Sequence, residues 1–430
     1  MWKFRAAGGG LTVGLVHWAL PPTIGGVESH LADYIRLLTQ RGVKVVVLTG
    51  ERKPLQQLAD LAEIHSNPLL RLAGGGEVPD DGPECIDELT TWFGQVLAGS
   101  GVDVVHAHNL HYFSSAPATA LNEVCWKLDI ARHHTFHNYW ADGAQLAGLI
   151  ENWEGRWANS EFVAGLCDDG YLGSRPRTRY MGIDPDRFIR RRKPFEGRDP
   201  TTDNPALAPL ILQPARLLRW KGPMTSVRML RLLHDNDYRA RLLITDTSQF
   251  IDWDDERKAL RAELNDQIDE LKLSRWVEFS DDVFYAGMPE LYDEADIVIN
   301  PSHGEPLGLV ALEAMAAARP VVVTDSGGMT ETFDQRTGAV VADDRSLAEN
   351  LFEAVRGFLD DPRSAVRSGR RGRRHVVKNF HMNVYVDAML DAYRATLKPQ
   401  KARLAAESVS TSAPHEEASM SPVGASSGAQ

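Results

Sequence analysis

Two glutamates eight residues apart, Glu305 and Glu313, stand in the stretch NPSHGEPLGLVALEAMAAARPVVVTDSGG at 300–328, one before a helical segment and one inside it. A helix rises 1.5 Å per residue, so the pair can address the two ends of a ligand about 12 Å long. The amides of Leu307, Gly308 and Leu309 are expected to open that helix. A helix N-terminus offers unpaired N–H groups and the positive end of a dipole, which suits a phosphate, and Gly308 allows close approach. Arg216 and Lys221 follow a strand in QPARLLRWKG at 213–222. Two cations on one loop suit a diphosphate and would stabilise the charge that develops on a departing nucleoside diphosphate. The plainer alternative is a capped helix with a solvated glutamate and a solvated basic loop.

Gly25 and Gly26 lie in PPTIGGVESH at 21–30, between a strand and a helix, where a double glycine lets a ligand approach the backbone. The stretch is neither GxGxxG nor a P-loop, so dinucleotide and Walker-type readings lack support. His106 and His108 end one strand, His111 follows, and His133, His134 and His137 mark the next strand and its exit. No carboxylate or cysteine near them in sequence completes a zinc set, and a histidine hydrogen-bonded to a sugar hydroxyl is the better expectation. DxD triplets at 184–186, 235–237 and 252–254 are read as turns or helix caps, and no metal site is expected.

These residues need a scaffold of strands and crossover helices. Short β-branched runs at 11–17, 44–49, 102–106, 132–136, 156–158 and 178–181 alternate with longer helical patterns. In the first helix, Val27, Leu31, Tyr34, Ile35 and Leu38 share one face. A Pro-, Asp- and Arg-rich stretch at 191–208 reads as a linker between a first domain, 1–190, and a second, 209–380. The strand rhythm resumes at 210–213, 241–245, 276–279, 296–300 and 320–324. The expected fold is α/β: two doubly wound, Rossmann-like domains facing across a cleft, with function in the loops at the carboxyl ends of the strands. A helix at 381–397 follows, and the Ser- and Ala-rich 398–430 is expected to be a disordered tail.

Composition bounds the function. The 430 residues are 43% hydrophobic, enough for two cores, and 47 basic against 59 acidic residues give a net charge of −12, which offers no global attraction to nucleic acid. The three cysteines have no ligand spacing and fit a reducing compartment. The opening MWKFRAAGGG has no apolar signal core, so a cytoplasmic protein is expected. The arginine-rich run at 363–374 could give weak peripheral contact with anionic lipid headgroups, although a solvated helix face explains it as well.

From Leu11 to Leu397 the chain resembles the retaining GT-B glycosyltransferases of glycosyltransferase family 4. The likeness rests on the GGVE helix start, DVVHAHN at 103–109, HNYW at 137–140, ANSEF at 158–162, GID at 182–184 and above all the 300–328 block. The resemblance implies a GT-B fold whose last helix crosses back to the first domain. It implies a nucleotide-sugar donor, with UDP favoured, as co-substrate and no other cofactor. Arg216 and Lys221 would hold the donor diphosphate, Glu305 the hydroxyls of the transferred sugar and Glu313 the ribose. His137 would line the sugar pocket, Gly25 and Gly26 would flank the phosphates, and the amides of Leu307, Gly308 and Leu309 would complete the cradle. The chain departs from the pattern at Met181, where the family often has Asn, and at TDTSQF from Thr245, where it often has a glycine-rich turn.

The implied reaction is sugar transfer to an acceptor hydroxyl with retention at the anomeric carbon and no dedicated protein base. A nucleotide-sugar epimerase and a catalytically silent sugar-nucleotide binder remain as alternatives. The loops at 51–83 and 140–153 are expected to choose the acceptor, a small molecule, glycan or lipid, while backbone near 282–284 is expected to read the nucleobase.

Overall fold

The computed structural model describes residues 10–71, 81–110, 114–139, 148–168, 175–188, 191–246, 254–281 and 286–411. The first domain contains β1 (Thr12–His17), α1 (Gly26–Gln40), β2 (Lys44–Thr49), α2 (Gln56–Ala59), β3 (Glu63–Ser66), α3 (Pro83–Ser100) and β4 (Val104–His108). It continues with α4 (Ala116–Leu128), β5 (Ala131–Phe136), β6 (Gly155–Ala158), α5 (Glu161–Asp168) and β7 (Arg177–Thr178). The second domain contains β8 (Leu210–Gln213), α6 (Pro223–Asp235), β9 (Arg241–Asp246), α7 (Asp254–Glu270), β10 (Val277–Asp281), α8 (Met288–Glu294) and β11 (Ile297–Asn300). Next come α9 (Leu309–Ala316), β12 (Val321–Thr324), β13 (Ala339–Val341), α10 (Leu347–Asp360), α11 (Pro362–Asn379) and the final helix α12 (Met382–Thr411).

Both sheets are parallel and doubly wound, in the orders β3-β2-β1-β4-β5-β6-β7 and β10-β9-β8-β11-β12-β13. Runs such as KVVVLT and VVVT are apolar almost throughout because helices cover both faces of each sheet. Strand order reverses beside β1 in one domain and β8 in the other, which are the crevices where such sheets bind ligands. The short strands β3 and β13, not anticipated from sequence, are edges, each pairing on one side only. EIHS and AVV are too short or too polar to stand out from a loop.

The chain passes between domains earlier than the stretch expected to link them. Ile183 and Phe188 pack in a core cluster of the second domain, and Ile183 pairs with His381 where the chain returns. Residues 191–208 are fastened to the second domain instead. The fully buried carboxylate of Asp296 accepts hydrogen bonds from Arg192, from Arg198 Nε at 3.0 Å and from the amides of Phe195 and Leu210 at 2.6 and 2.8 Å. A Pro- and Arg-rich composition looks like a linker until a buried acid gives its donors a partner.

Helix α12 packs Tyr385, Met389, Leu390 and Tyr393 into the first domain against Leu31, Tyr34, Ile35 and Leu38 of α1. The expectation that order ends at 397 needs correction: α12 runs to Thr411. Once a helix is nucleated, each further residue costs little, and KARLAAE is made of good helix formers. Residues 412–430 lie outside the described residues.

The domains also meet at a helix cap. Glu331 of the second domain places its two carboxylate oxygens 2.7 Å from the amides of Glu161 and Phe162, the first N–H groups of α5 in the first domain. Ser160 Oγ beside them donates to the Pro306 carbonyl at 2.6 Å. An acid at a helix N-terminus satisfies orphan donors and opposes the dipole. Glu331→Ala should therefore lower the urea midpoint by the equivalent of about 0.5–2 kcal/mol; an unchanged midpoint would show that the cap carries no weight.

Candidate functional site

One cavity of about 240 Å³ opens between the two domains. Its walls include all ten residues singled out from sequence: Gly25, Gly26 and His137 from the first domain, and Arg216, Lys221, Glu305, Leu307, Gly308, Leu309 and Glu313 from the second. His111 and Trp140 lie outside the described residues, as do 247–253 and 282–284.

The loop after β8 ends in a short turn, Arg219–Lys221, stopped by Gly222 at φ 70°. A side chain there would also collide with the Pro301 carbonyl, 2.4 Å from an added Cβ, so this position belongs to glycine. Gln213 Nε2 donates to the Lys221 carbonyl at 2.8 Å, and the Lys221 ammonium sits 4.0 Å from the Trp220 ring centre. Lys221 is buried and its ammonium donates to Glu305 Oε2. Burial lowers the lysine pKa, and the attraction of Glu305 works against that. Lys221 and Glu305 were expected to act separately, on diphosphate and on sugar; here they form one ion pair. Glu305 is itself fixed through its backbone, because Gly328 N–H donates to its carbonyl at 2.7 Å.

Helix α9 starts at Leu309, two residues later than the sequence suggested, behind Gly308 at φ 85°. An added Cβ at Gly308 would stand 2.6 Å from Met329 Cγ. Leu307, Gly308 and Leu309 line the cavity, and among the described residues their amides have no backbone acceptor. Glu313 accepts a hydrogen bond from Tyr292 Oη at 2.6 Å; burial raises its pKa, while Tyr292 and Arg187 pull it down.

On the facing wall, the expectation that Gly25 and Gly26 leave room for ligand is modified. An added Cβ at Gly25 would lie 2.0 Å from Glu28 Oε2, and one at Gly26 would lie 3.0 Å from Leu309 Cδ1 of the other domain. The double glycine lets Glu28 fold back beneath it and lets α9 approach. Burial works against the charge on Glu28, but His17, hydrogen-bonded to it at 3.1 Å and attracting it, together with its own backbone amide and, least, Arg216, outweighs that and holds this carboxyl below its ordinary range. Glu28 is not among the residues expected at the site from sequence. The available signal was its position in the first turn of the helix that follows the switch-point strand.

The histidines form a buried cluster of ring contacts. His137 Nε2 lies 2.8 Å from His108 Nδ1, and its Nδ1 lies 3.1 Å from Met181 Sδ, so the departure at Met181 provides a soft partner for this ring. With both ring nitrogens engaged, His137 reaches a sugar hydroxyl only by exchanging a partner. Asn109 holds the left-handed conformation at φ 50° and accepts the His137 amide at 2.7 Å, which gives the DVVHAHN end a positional role. His106 bonds Tyr393 Oη at 2.6 Å and Thr135 Oγ1 at 2.7 Å, and His133 bonds Thr396 Oγ1 at 3.0 Å. Asp184 accepts the Asp186 amide at 3.1 Å as the cap of a short turn. At the TDTSQF departure, Thr245 donates to the Ala215 carbonyl at 3.0 Å, and Asp246 is clamped by Arg257 at 3.0 Å and Arg261 at 2.7 Å.

Two doubly wound domains with a cationic, amide-lined notch between their switch points define a GT-B glycosyltransferase. The second half of the chain, residues 201–375, matches the family model for glycosyl transferases group 1, and residues 24–187 match that for Glycosyltransferase Family 4. The chain belongs to this family. It is 26% identical over 411 residues to a glycogen synthase of Mycobacterium tuberculosis, covering 90% of this chain and 95% of that one. It is also 26% identical over 421 residues to a D-inositol 3-phosphate glycosyltransferase of Kineococcus radiotolerans, covering 89% and 93%. A glycosyltransferase from Rickettsia africae superposes with a TM-score of 0.71 at 19% identity over 90% of this chain and 99% of that one. Anabaena HepE in complex with UDP and glucose superposes with 0.69 at 15% over 90% and 100%.

The buried histidines set an acid limit. Burial holds His30 at about 3 and, despite the attraction of Glu154, His133 at about 4, whereas an unfolded histidine binds a proton near 6.5. Between those values the unfolded chain carries more protons, so stability is full above about pH 6.5 and falls as pH drops toward 3, by about 1.4 kcal/mol per unit for each such ring. In His30→Phe the slope of stability against pH between 6.5 and 4 should lose about one proton, measured by denaturant titration at several pH values; an unaltered slope would mean His30 is protonated in the fold.

Proposed function

We propose that the chain transfers a sugar from a nucleotide-sugar donor, a UDP-sugar by preference, to an acceptor hydroxyl with retention of anomeric configuration and without a metal. The observation that carries this reading is that Arg216, Lys221 and the helix-start residues Leu307, Gly308 and Leu309 line one cavity. These donors suit a diphosphate, whose charge grows as the glycosidic bond breaks. Glu305 keeps Lys221 in place before donor arrives and then turns to the hydroxyls of the sugar. Glu313, one helix length away, takes the ribose, and His137 lines the sugar side. Gly25 and Gly26 keep the first domain close to the phosphates. UDP is favoured because a structural neighbour was solved with UDP and glucose.

Retention is what the family resemblance implies, and the acids of the cavity speak against a double displacement. Each carboxylate lining the cavity has a partner: Glu28 with His17, Glu305 with Lys221, Glu313 with Tyr292, and Asp246 with Arg257 and Arg261. Among the described residues none stands apart as a nucleophile for double displacement. By the family resemblance the acceptor oxygen bonds to the anomeric carbon on the face that the diphosphate leaves, and its proton passes to the departing diphosphate oxygen. The acceptor is a small molecule, glycan or lipid reached through the first-domain loops.

A donor screen by thermal shift, followed by mass spectrometry of products with candidate acceptors, tests this reading. Glu305→Ala and Lys221→Ala should each lose about 2.7 kcal/mol or more of transition-state stabilisation, near a hundredfold in rate. Unchanged turnover in both variants would remove the assignment. Turnover should also persist in excess chelator; loss that magnesium or manganese restores would overturn the metal-free mechanism.

A further inference from the structure

Helix α11 bears seven Lys and Arg and no Asp or Glu, in a chain whose net charge is −12. Its inner face, Ala365, Ser368, Gly369 and Gly372, is buried against the Met315–Ala318 end of α9; a Cβ at Gly369 would stand 2.2 Å from the Ala318 carbonyl. The outer face is thus on the far side of the helix from the donor notch. There Arg363, Arg367, Arg370, Arg374 and Lys378 are exposed at steps of three or four residues, which keeps like charges side by side along about 22 Å. Fold stability gains nothing from such an arrangement.

At the C-terminal end of this face a second cavity, about 330 Å³, opens between α11 and the loop at 334–337. Its walls include Arg336, Arg371, Arg374 and Lys378, with Asp334 as the one acid among the described residues. Asp334 is already spent: Arg336 Nε and one Nη donate to it at 3.1 and 2.9 Å. Arg371 uses Nε on the Arg336 carbonyl at 2.9 Å, which leaves its terminal nitrogens to the cavity. Arg374 and Lys378 have no ion pair among the described residues. His375 is held by the Thr332 carbonyl at 3.1 Å and the Asn379 amide at 3.0 Å, so it serves as wall. The result is three cations of α11, Arg371, Arg374 and Lys378, lining a concavity whose Asp334 and Arg336 neutralise each other, a donor set that matches the oxygens of a phosphate.

We propose that this pocket is a second anion site, separate from the catalytic cleft, for a soluble small molecule bearing phosphate groups. A bilayer surface is the poorer occupant. The donors line a hollow, and Val377 is the one exposed large hydrophobic residue on α11, whereas stable membrane attachment needs an apolar face as well as charge. The proposal is independent of which sugar or acceptor the cleft uses.

Inorganic pyrophosphate titrated into the full chain by calorimetry provides the test, with Lys221→Ala used to weaken anion binding in the cleft. In that background pyrophosphate should still bind, and adding Arg374→Glu with Lys378→Glu should weaken it by about tenfold or more, with Arg374→Gln and Lys378→Gln intermediate. The affinity should fall as salt rises. Binding that disappears with Lys221→Ala alone, or that ignores the α11 substitutions, overturns the proposal. So does the chain sedimenting with phosphatidylglycerol vesicles through Arg374 and Lys378 while pyrophosphate leaves no heat. A thermal unfolding midpoint matching the parent confirms that the charge-reversed chain is folded.

Discussion

A buried ammonium needs a partner, and the cleft is organised around that requirement. Removing Lys221 from water costs several kcal/mol unless an anion is fixed beside it, and Glu305 is that anion. On each side of the pair the backbone that carries the residue is fixed. Gly222 and Gln213 fix the turn that presents the lysine, and the Gly328 amide fixes the strand exit that presents the glutamate. A site built this way carries a positive group in a low-dielectric space without unfolding the loop around it. That group is available to any incoming anion that outcompetes a carboxylate.

The facing wall uses the same logic with opposite sign. Glu28 lies buried under Gly25, with His17 as partner and the charge of Arg216 reaching it from the other domain. Glu331 capping α5 adds a further tie between the domains. Behind this wall the histidine cluster runs back to Tyr393 and Thr396 on α12. The last helix packs in the first domain but follows directly on a helix of the second, so the position of the sugar-side rings depends on both ends of the chain.

Much of this was legible in the residues. Strands β2 and β8 fall on the stretches their β-branched runs indicated, and α1 begins within a residue of its apolar stripe, because a core strand or helix declares its buried face by period. Edge strands β3 and β13 did not, since one-sided pairing demands little apolar content. The 191–208 stretch looked like a free linker because its partner, Asp296, is about a hundred residues away and no local pattern discloses it. The expected roles of Glu305 and Lys221 as separate contacts changed for the same reason.

The sequence by itself determined the two parallel-sheet domains, the glycines that permit tight turns at Gly222 and Gly308, and the set of polar groups offered at the strand exits. These follow from local periodicity and backbone sterics, which act over a few residues. Tertiary structure alone decided which charges neutralise one another. Coulomb attraction and desolvation depend on distance and burial, and residues 84 positions apart in Lys221 and Glu305, or in separate domains as with Arg216 and Glu28, acquire both only when the chain has closed on itself.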